Sequence, residues 1–444
     1  MSFVNESTPV TAVPELELFS KAPVQTSIES TFLEEIRPIN QLNTGGHIEF
    51  NITNGNNEFI RLNETTLSIK FKVKLSKSDG SAIVASDWNS VSIVNNFLHS
   101  LWSQVDLLIS NVQTTVSLHT YPFRCYNETI LGSTDWSRKT HLKNVGFVAD
   151  KMDEKDTPQA SRQHYIKYKT GGTDLTIGRV CSLEGKLHLD LFFQPRVLLG
   201  GTPLKIRLVP NKSEFYFKTN DDKIIPRIEF LDIHLNVMKS RVSDELLLAH
   251  MRALSISSAK YSIVRSQVKT FTIDKGVTSR NLENVINGQL PRRIYLSFIS
   301  NEAFGGSYTK NPFYYDSYNI NSIACFVNGE QFPRRAYTPD FSSDDYTREL
   351  TELYRISGQL NNEVRMMIDR NTYDKRFTIF AFNLSQDLSD GYNSAGYNNI
   401  TKSGVLRFEI QFAKQLETTI NAIVHCEFDN LLSIPEDRSV YMDY

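Results

Sequence analysis

The chain has 444 residues, of which 40% are hydrophobic, 11% aromatic and 22% charged. That is enough apolar material for two or three domains with a sizeable core, and it excludes a chain disordered throughout. Lys plus Arg number 48 and Asp plus Glu 50, a net charge of -2, so the cationic excess that displaces counterions from nucleic-acid phosphates is missing.

In chain order, an arm over residues 1–43 comes first. It contains Pro9, Pro14, Pro23 and Pro38 and leans acidic through Glu6, Glu15 and Glu17. It has too few apolar residues to fold alone, so it is expected to be ordered only by docking on its own sandwich or on a neighbour. Met1–Phe19 lacks the basic and then apolar pattern of a signal peptide, and no run of about 18 apolar residues is present to span a membrane as a helix.

Beyond the arm, alternation with a period of two dominates. It predicts strands at Ile48-Phe50-Ile52, at Leu67 to Leu75 (with Ser68, Lys70, Lys72 and Lys74 on the charged face) and at Val105-Leu107-Ile109. The same pattern recurs at Leu187-Leu189-Leu191-Phe193, Leu204-Ile206-Leu208, Ile233-Leu235-Val237, Ile294-Leu296-Phe298, Leu406 to Phe412 and Ala422 to Phe428. Such runs bury one face and solvate the other. At Phe230-Leu231 the apolar phase slips by one residue, the signature of a bulge or a change of partner sheet. Turn formers punctuate the runs at Asn54-Gly55, Asp79-Gly80, Gly171-Gly172, Gly200-Gly201, Asn287-Gly288, Asn328-Gly329 and Asp390-Gly391. Short helices are expected at Tyr126–Leu131, Ser243–Leu254 and Tyr346–Ile356, the second capped by Ser243.

An internal repeat organises these elements. Ser103–Gln113 can be laid over Asn321–Gln331 so that Val105, Leu107 and Ile109 match Ile323, Cys325 and Val327 in phase. One sandwich unit used twice accounts for the length. The expected fold is all-β, with a first unit over residues 44–217 and a second over 218–432. The helix near 243–254 falls in the connecting region, and residues 433–444 form a C-terminal tail.

The sequence presents no recognisable reaction centre. Cys125, Cys181, Cys325 and Cys426 are scattered and read as buried free thiols. None of the nine histidines forms a metal-binding pair on one element, and His188, His234 and His425 fall on the polar phase of their strands, which predicts surface or edge positions. His425 and Cys426, as neighbours on a strand, point to opposite faces. Nucleophile-elbow, P-loop and dinucleotide fingerprints are missing, and Phe304-Gly305-Gly306-Ser307 lacks the Lys of a phosphate cradle. The carboxylate pairs Glu34-Glu35, Asp221-Asp222 and Asp344-Asp345 read as solvated turns. The aromatic stretch Tyr308–Tyr318 could stack on sugars or bases, but packing on the sandwich or on a neighbouring subunit is the favoured reading, since Lys310 is its sole cation. The expectation is therefore a non-enzyme with no catalytic, cofactor-binding or metal-ligating residues. A carbohydrate-binding β-sandwich, such as a spike or lectin-like protein, is the alternative.

Ordered segments of the first half carry a family resemblance. Leu18–Ser30, Ile48–Phe50, Phe59–Leu62, Phe97–Asp106, Tyr121–Leu131, Lys139–Leu142, Leu183–Phe192 and Leu198–Leu204 resemble, in that order, the major capsid proteins of Polinton (Maverick) elements, adintoviruses and polinton-like viruses. Trp102 and the Asn111-Val112 turn depart from that pattern. The resemblance implies a double jelly-roll, two eight-stranded antiparallel β-sandwiches side by side with a few short helices. It also implies a hexon-like role in which homotrimers tile an icosahedral virion shell around double-stranded DNA. The partners would be further copies of the chain and a penton or minor capsid protein, with no cofactor and no strong direct nucleic-acid binding. The protein would be made inside the host cell, without secretion.

Overall fold

The computed structural model describes residues 14–16, 18, 19, 21, 22, 24–40, 42, 46–116, 118–149, 156–170, 173–360, 366–388 and 400–443. Pro9, Pro23, Thr44 and the turns expected at Gly171-Gly172 and Asp390-Gly391 lie outside the described residues.

Two sets of eight strands account for the architecture. The first set is β1 (Ile28–Ile36), β2 (Ile48–Ile52), β3 (Glu58–Lys77), β4 (Trp102–Ile109), β5 (Val112–Gln113), β6 (Val180–Lys186), β7 (Leu204–Pro210) and β8 (Ile224–Val242). The second is β9 (Ala259–Ile273), β10 (Ser279–Gln289), β11 (Arg293–Ser300), β12 (Ile320–Val327), β13 (Glu330–Gln331), β14 (Ile379–Asn383), β15 (Ser403–Phe412) and β16 (Ile420–Ile434). The first set forms sheets ordered β1-β8-β3-β6 and β2-β7-β4-β5, and the second forms β9-β16-β11-β14 and β10-β15-β12-β13. The second order is the first with every strand advanced by eight, and every pairing is antiparallel. This is a double jelly-roll.

The internal repeat occupies equivalent places. In each unit its strand and the two-residue partner form an edge hairpin, β4-β5 and β12-β13. The loop residues are Ser110-Asn111 and Asn328-Gly329, all four at positive φ, the backbone that a two-residue hairpin of type I′ needs. The first hairpin thus turns at Ser110-Asn111, and Val112 already belongs to β5. Trp102, the other departure from the family pattern, is fully buried and stacks on Phe230 at 5.8 Å between ring centroids.

Three helices agree with the sequence: α1 (Phe97–Ser100) is an addition, whereas α2 (Tyr121–Gly132), α3 (Asp244–Leu254, capped by Ser243) and α4 (Thr347–Ile356) stand where helices were expected. The phase slip is a bulge. Phe230 pairs with Phe71 and Asp232 with Lys70, leaving Leu231 as the extra residue.

Other expectations change. Ile224–Val242, placed in the second unit, is hydrogen-bonded to β3 and β1 and closes the first sandwich. Residues 28–36, placed in the arm, are a sheet strand, because an edge strand held by backbone pairing with β8 needs no core of its own. Tyr441–Asp443, placed in the tail, pairs with Leu431–Ser433 of β16. Leu187 to Phe193 is not a strand: β6 ends at Lys186, and Asp190–Phe193 form a 3-10 turn. Leu187, Leu189 and Leu191 are nevertheless buried, so their alternation reports burial and not strand geometry.

The sheet β9-β16-β11-β14 explains how the units join. Ala422, Val424, Cys426 and Phe428 of β16 face the core of the second sandwich, whereas Ile423, Leu432 and Ile434 belong to the core continuous with the first. Tyr295 and Ile299 of β11 and Ile379 and Ala381 of β14 share that second face. A sheet buried on both sides loses its hydrophobic alternation.

Candidate functional site

A concentration of buried charge lies in the seam between the sandwiches. From α2, Arg124 Nε donates to Glu128 Oε1 at 2.8 Å and its Nη2 donates to Asp190 Oδ1 at 2.6 Å. Asp190 also accepts from the Ser266 backbone N–H of β9 at 3.1 Å. Glu128 Oε2 lies 2.6 Å from His188 Nδ1. On the second sandwich's side of the seam, Arg293 pairs with Glu427 at 2.6 Å and Arg292 with Asp429 at 2.7 Å. Burial pushes Glu128 up, but Arg124 and His188 together outweigh it and hold the carboxyl below its usual range. At Asp190 burial wins over Arg124, and the carboxyl is raised.

Neutral polar contacts extend the join. Thr120 Oγ1 donates to Val268 O at 3.2 Å, and Tyr261 Oη accepts from Leu199 N at 3.1 Å and donates to Val197 O at 3.2 Å. A charged donor joins them, Arg438 Nε to Gly200 O at 3.0 Å. A Cβ on Gly200 would meet Asn56 O at 2.1 Å, so this turn requires glycine for close approach.

The aromatic stretch is part of the same seam. Phe313 stacks on Tyr126 at 4.3 Å and meets Phe123 and Phe215 edge-on at 6.0 Å. Tyr315 Oη donates to Asn127 Oδ1 at 2.6 Å. Both Phe313 and Tyr315 are fully buried and Tyr314 half-buried, which leaves Phe313 and Tyr315 no face open to a sugar ring or a base.

The singled-out polar residues separate into two groups. Glu34 pairs with Lys239, Glu35 with Arg37 at 3.0 Å, and Asp221 Oδ1 accepts from Lys223 N at 3.0 Å in a turn. His234 sits 2.9 Å from Asp232 on β8. All four cysteines are free and buried. His425 departs from its expected surface position: it is fully buried, because its polar phase on β16 faces the first sandwich. Three residues far apart in sequence also converge, His99 of α1, Cys125 of α2 and His188 after β6, with one ligand atom from each within 4.8 Å of the others. Sequence reasoning missed this grouping because no two of them share an element; only the Tyr121, Cys125 and Arg124, Glu128 spacings of four on α2 hint at a functional helix face.

His425 gives the seam a pH dependence. Burial lowers its pKa from 6.5; Arg124 of α2 and Arg293 of β11 add to that, while Glu427 of β16 and Glu128 of α2 oppose it. The unfolded chain then takes up a proton below about pH 6.5 that the folded chain refuses, so stability falls as the pH drops from 6.5 toward the folded pKa. One such group contributes a slope of up to about 1.4 kcal/mol per pH unit. Urea midpoints measured from pH 7.5 to 5.5 should fall, and His425→Phe should flatten the fall; an unchanged slope in the variant would remove His425 as the cause.

No protein-family model matches the chain. An uncharacterized protein of Caenorhabditis elegans is 24% identical over 432 residues, which cover 94% of this chain and 98% of that protein. Among solved structures, a chain of the Sputnik virophage aligns with a TM-score of 0.65 at 12% identity, covering 100% of this chain and 94% of its own. The Faustovirus major capsid protein aligns at 0.58 and 9%, covering 94% and 92%. The mavirus major capsid protein aligns at 0.54 and 13%, covering 100% and 97%. At such identities the likeness speaks to fold alone, and it extends over both sandwiches: the chain shares its double jelly-roll with the major capsid proteins of viruses.

Proposed function

We propose that the protein is a major capsid protein whose homotrimers tile an icosahedral shell around a double-stranded DNA genome. The observation that carries this reading is the repetition of one eight-strand order, twice, in a single chain. Three such chains present six similar units, so a threefold oligomer acquires a pseudo-hexagonal outline that packs into a closed surface. Whole-length likeness to virus capsid chains supports the same reading. The net charge of -2 suits a wall that encloses DNA without gripping it.

The Polinton, adintovirus and polinton-like virus group is the lineage we favour, on the ordered segments of the first half and on a full-length relative in an animal. A penton or minor capsid protein would complete the shell at its fivefold positions, and the virion would be the site of action. The two units would be residues 28–242 and 259–434, joined through α3. We further infer that the chain is not an enzyme, since the buried charges at the seam are committed to ion pairs within each sandwich.

Sedimentation of the purified chain should give a stable species of about 150 kDa, three times 50.8 kDa, with hexagonal outlines in negative-stain images. Obligate contacts of this kind bury more than about 2,000 Å², so dilution and moderate salt should not dissociate it. A persistent monomer across concentration and salt would overturn the proposal.

A further inference from the structure

We propose that His99, Cys125 and His188 hold a zinc ion beneath the seam. Each comes from a separate element, and all three are sheltered: His99 and Cys125 are fully buried, and the His188 side chain is 14% exposed. One nitrogen of each histidine and Cys125 Sγ lie within 4.8 Å of one another. A tetrahedral zinc with bonds of about 2.0–2.3 Å sets its ligand atoms roughly 3.3–3.8 Å apart, so side-chain adjustment of an ångström or less closes the site. The two imidazole rings stand at 90° with centroids 4.7 Å apart, close enough to share one ion.

The surroundings match what orients metal-binding histidines. Glu128 Oε2 takes up Nδ1 of His188 at 2.6 Å, leaving Nε2 for a metal, and Arg124 fixes Glu128 in turn. Carboxylate–histidine–metal relays of this kind set the tautomer and raise ligand basicity. Tyr121 Oη lies 3.2 Å from His99 Nδ1 and accepts the His188 backbone N–H at 3.2 Å, which fixes the second ring and the chain that carries the first. A mixed set of imidazole and thiolate selects a borderline-soft divalent ion. Binding transfers the Cys125 thiol proton to solvent. The resulting complex carries a single positive charge, and together with Arg124 it is balanced by the two carboxylates Glu128 and Asp190. A cleft lined by His99, Glu128, Lys186 and His188 opens beside the two imidazoles, and a water from it would complete four-coordination. The ion would clip α1, α2 and the segment after β6 together.

The full-length protein, dialysed against zinc and then metal-free buffer, should retain about one zinc per chain. Loaded with cobalt(II) instead, it should show a thiolate-to-cobalt charge-transfer band in the near ultraviolet. Cys125→Ser should abolish the band, and His188→Gln should weaken zinc binding by at least about tenfold, with Glu128→Gln weaker by roughly 10–100-fold. If Cys125→Ser fails to fold, His188→Gln at its less buried position carries the test, with circular dichroism confirming the fold. A folded wild-type chain that retains no metal, a cobalt band that persists in Cys125→Ser, or unaltered zinc affinity in folded His188→Gln would each overturn the site.

Discussion

Arg124→Met should destabilise the folded chain by about 3–5 kcal/mol, read as a drop in the urea midpoint at neutral pH. The Arg124 side chain is 11% exposed and serves two carboxylates, Glu128 at 17% and Asp190 at 7%. Methionine keeps most of the volume and the packing of the stem, so the loss isolates the charge. Two carboxylates would then remain in a place with little water and no cation between them, and breaking a buried pair from one side costs far more than replacing the pair entirely. Asp190, already raised by burial, would take up a proton and weaken its grip on the Ser266 N–H that ties the first sandwich to β9. Arg124→Lys should recover little, because a single ammonium cannot reproduce two hydrogen bonds from a rigid fork. The double variant Arg124→Met, Asp190→Asn should be less harmed than the sum of its parts, since it removes a stranded charge. A loss below about 1 kcal/mol in the single variant would mean that the network is screened by water and holds nothing together.

Phe313→Ala should cost about 3–5 kcal/mol. The ring belongs to the second half of the chain but sits among Tyr126, Phe123 and Phe215 of the first, so its removal opens a cavity at the join. Aromatic pairs of this geometry add about 0.5–1.5 kcal/mol beyond their buried area. Tyr314→Ala next to it, at a half-buried position, should cost no more than about 1 kcal/mol. The contrast also tests the sugar-binding alternative. Were the stretch a binding platform, Tyr314→Ala would abolish glycan binding in a protein of unchanged stability, and Phe313→Ala would be mild.

The parts legible in the sequence are those with a local cause. Charged and apolar faces of Leu67 to Leu75 reveal a half-buried strand because its pleat separates them by one residue. The slip at Leu231 is visible because one inserted residue inverts every later side chain. The second hairpin announces itself through Asn328-Gly329, whereas the first, expected to turn at Asn111-Val112, turns one residue earlier at Ser110-Asn111. Three features escaped for the opposite reason. The pairing of Ile224–Val242 with β1 and β3 is set by distant partners, and no residue in the strand names them. Leu187, Leu189 and Leu191 mimic a strand because turns, too, bury alternate residues under a sandwich. His425 reads as a solvated position only if β16 has a wet face, and packing against the first sandwich removes that face. The seam network and the His99, Cys125 and His188 grouping are likewise products of tertiary closure, to which only the spacing along α2 contributes locally.

The strand order has a consequence for how such a chain can arise. In each unit the first and last strands are neighbours, β1 beside β8 and β9 beside β16, so entry and exit lie together on one edge of the module. A length of coding sequence with adjoining ends can be copied in tandem without rerouting either copy, and only a brief bridge between exit and re-entry is needed. Ser243–Ser258, containing α3, is that bridge. Doubling by simple tandem duplication is therefore topologically cheap for this module.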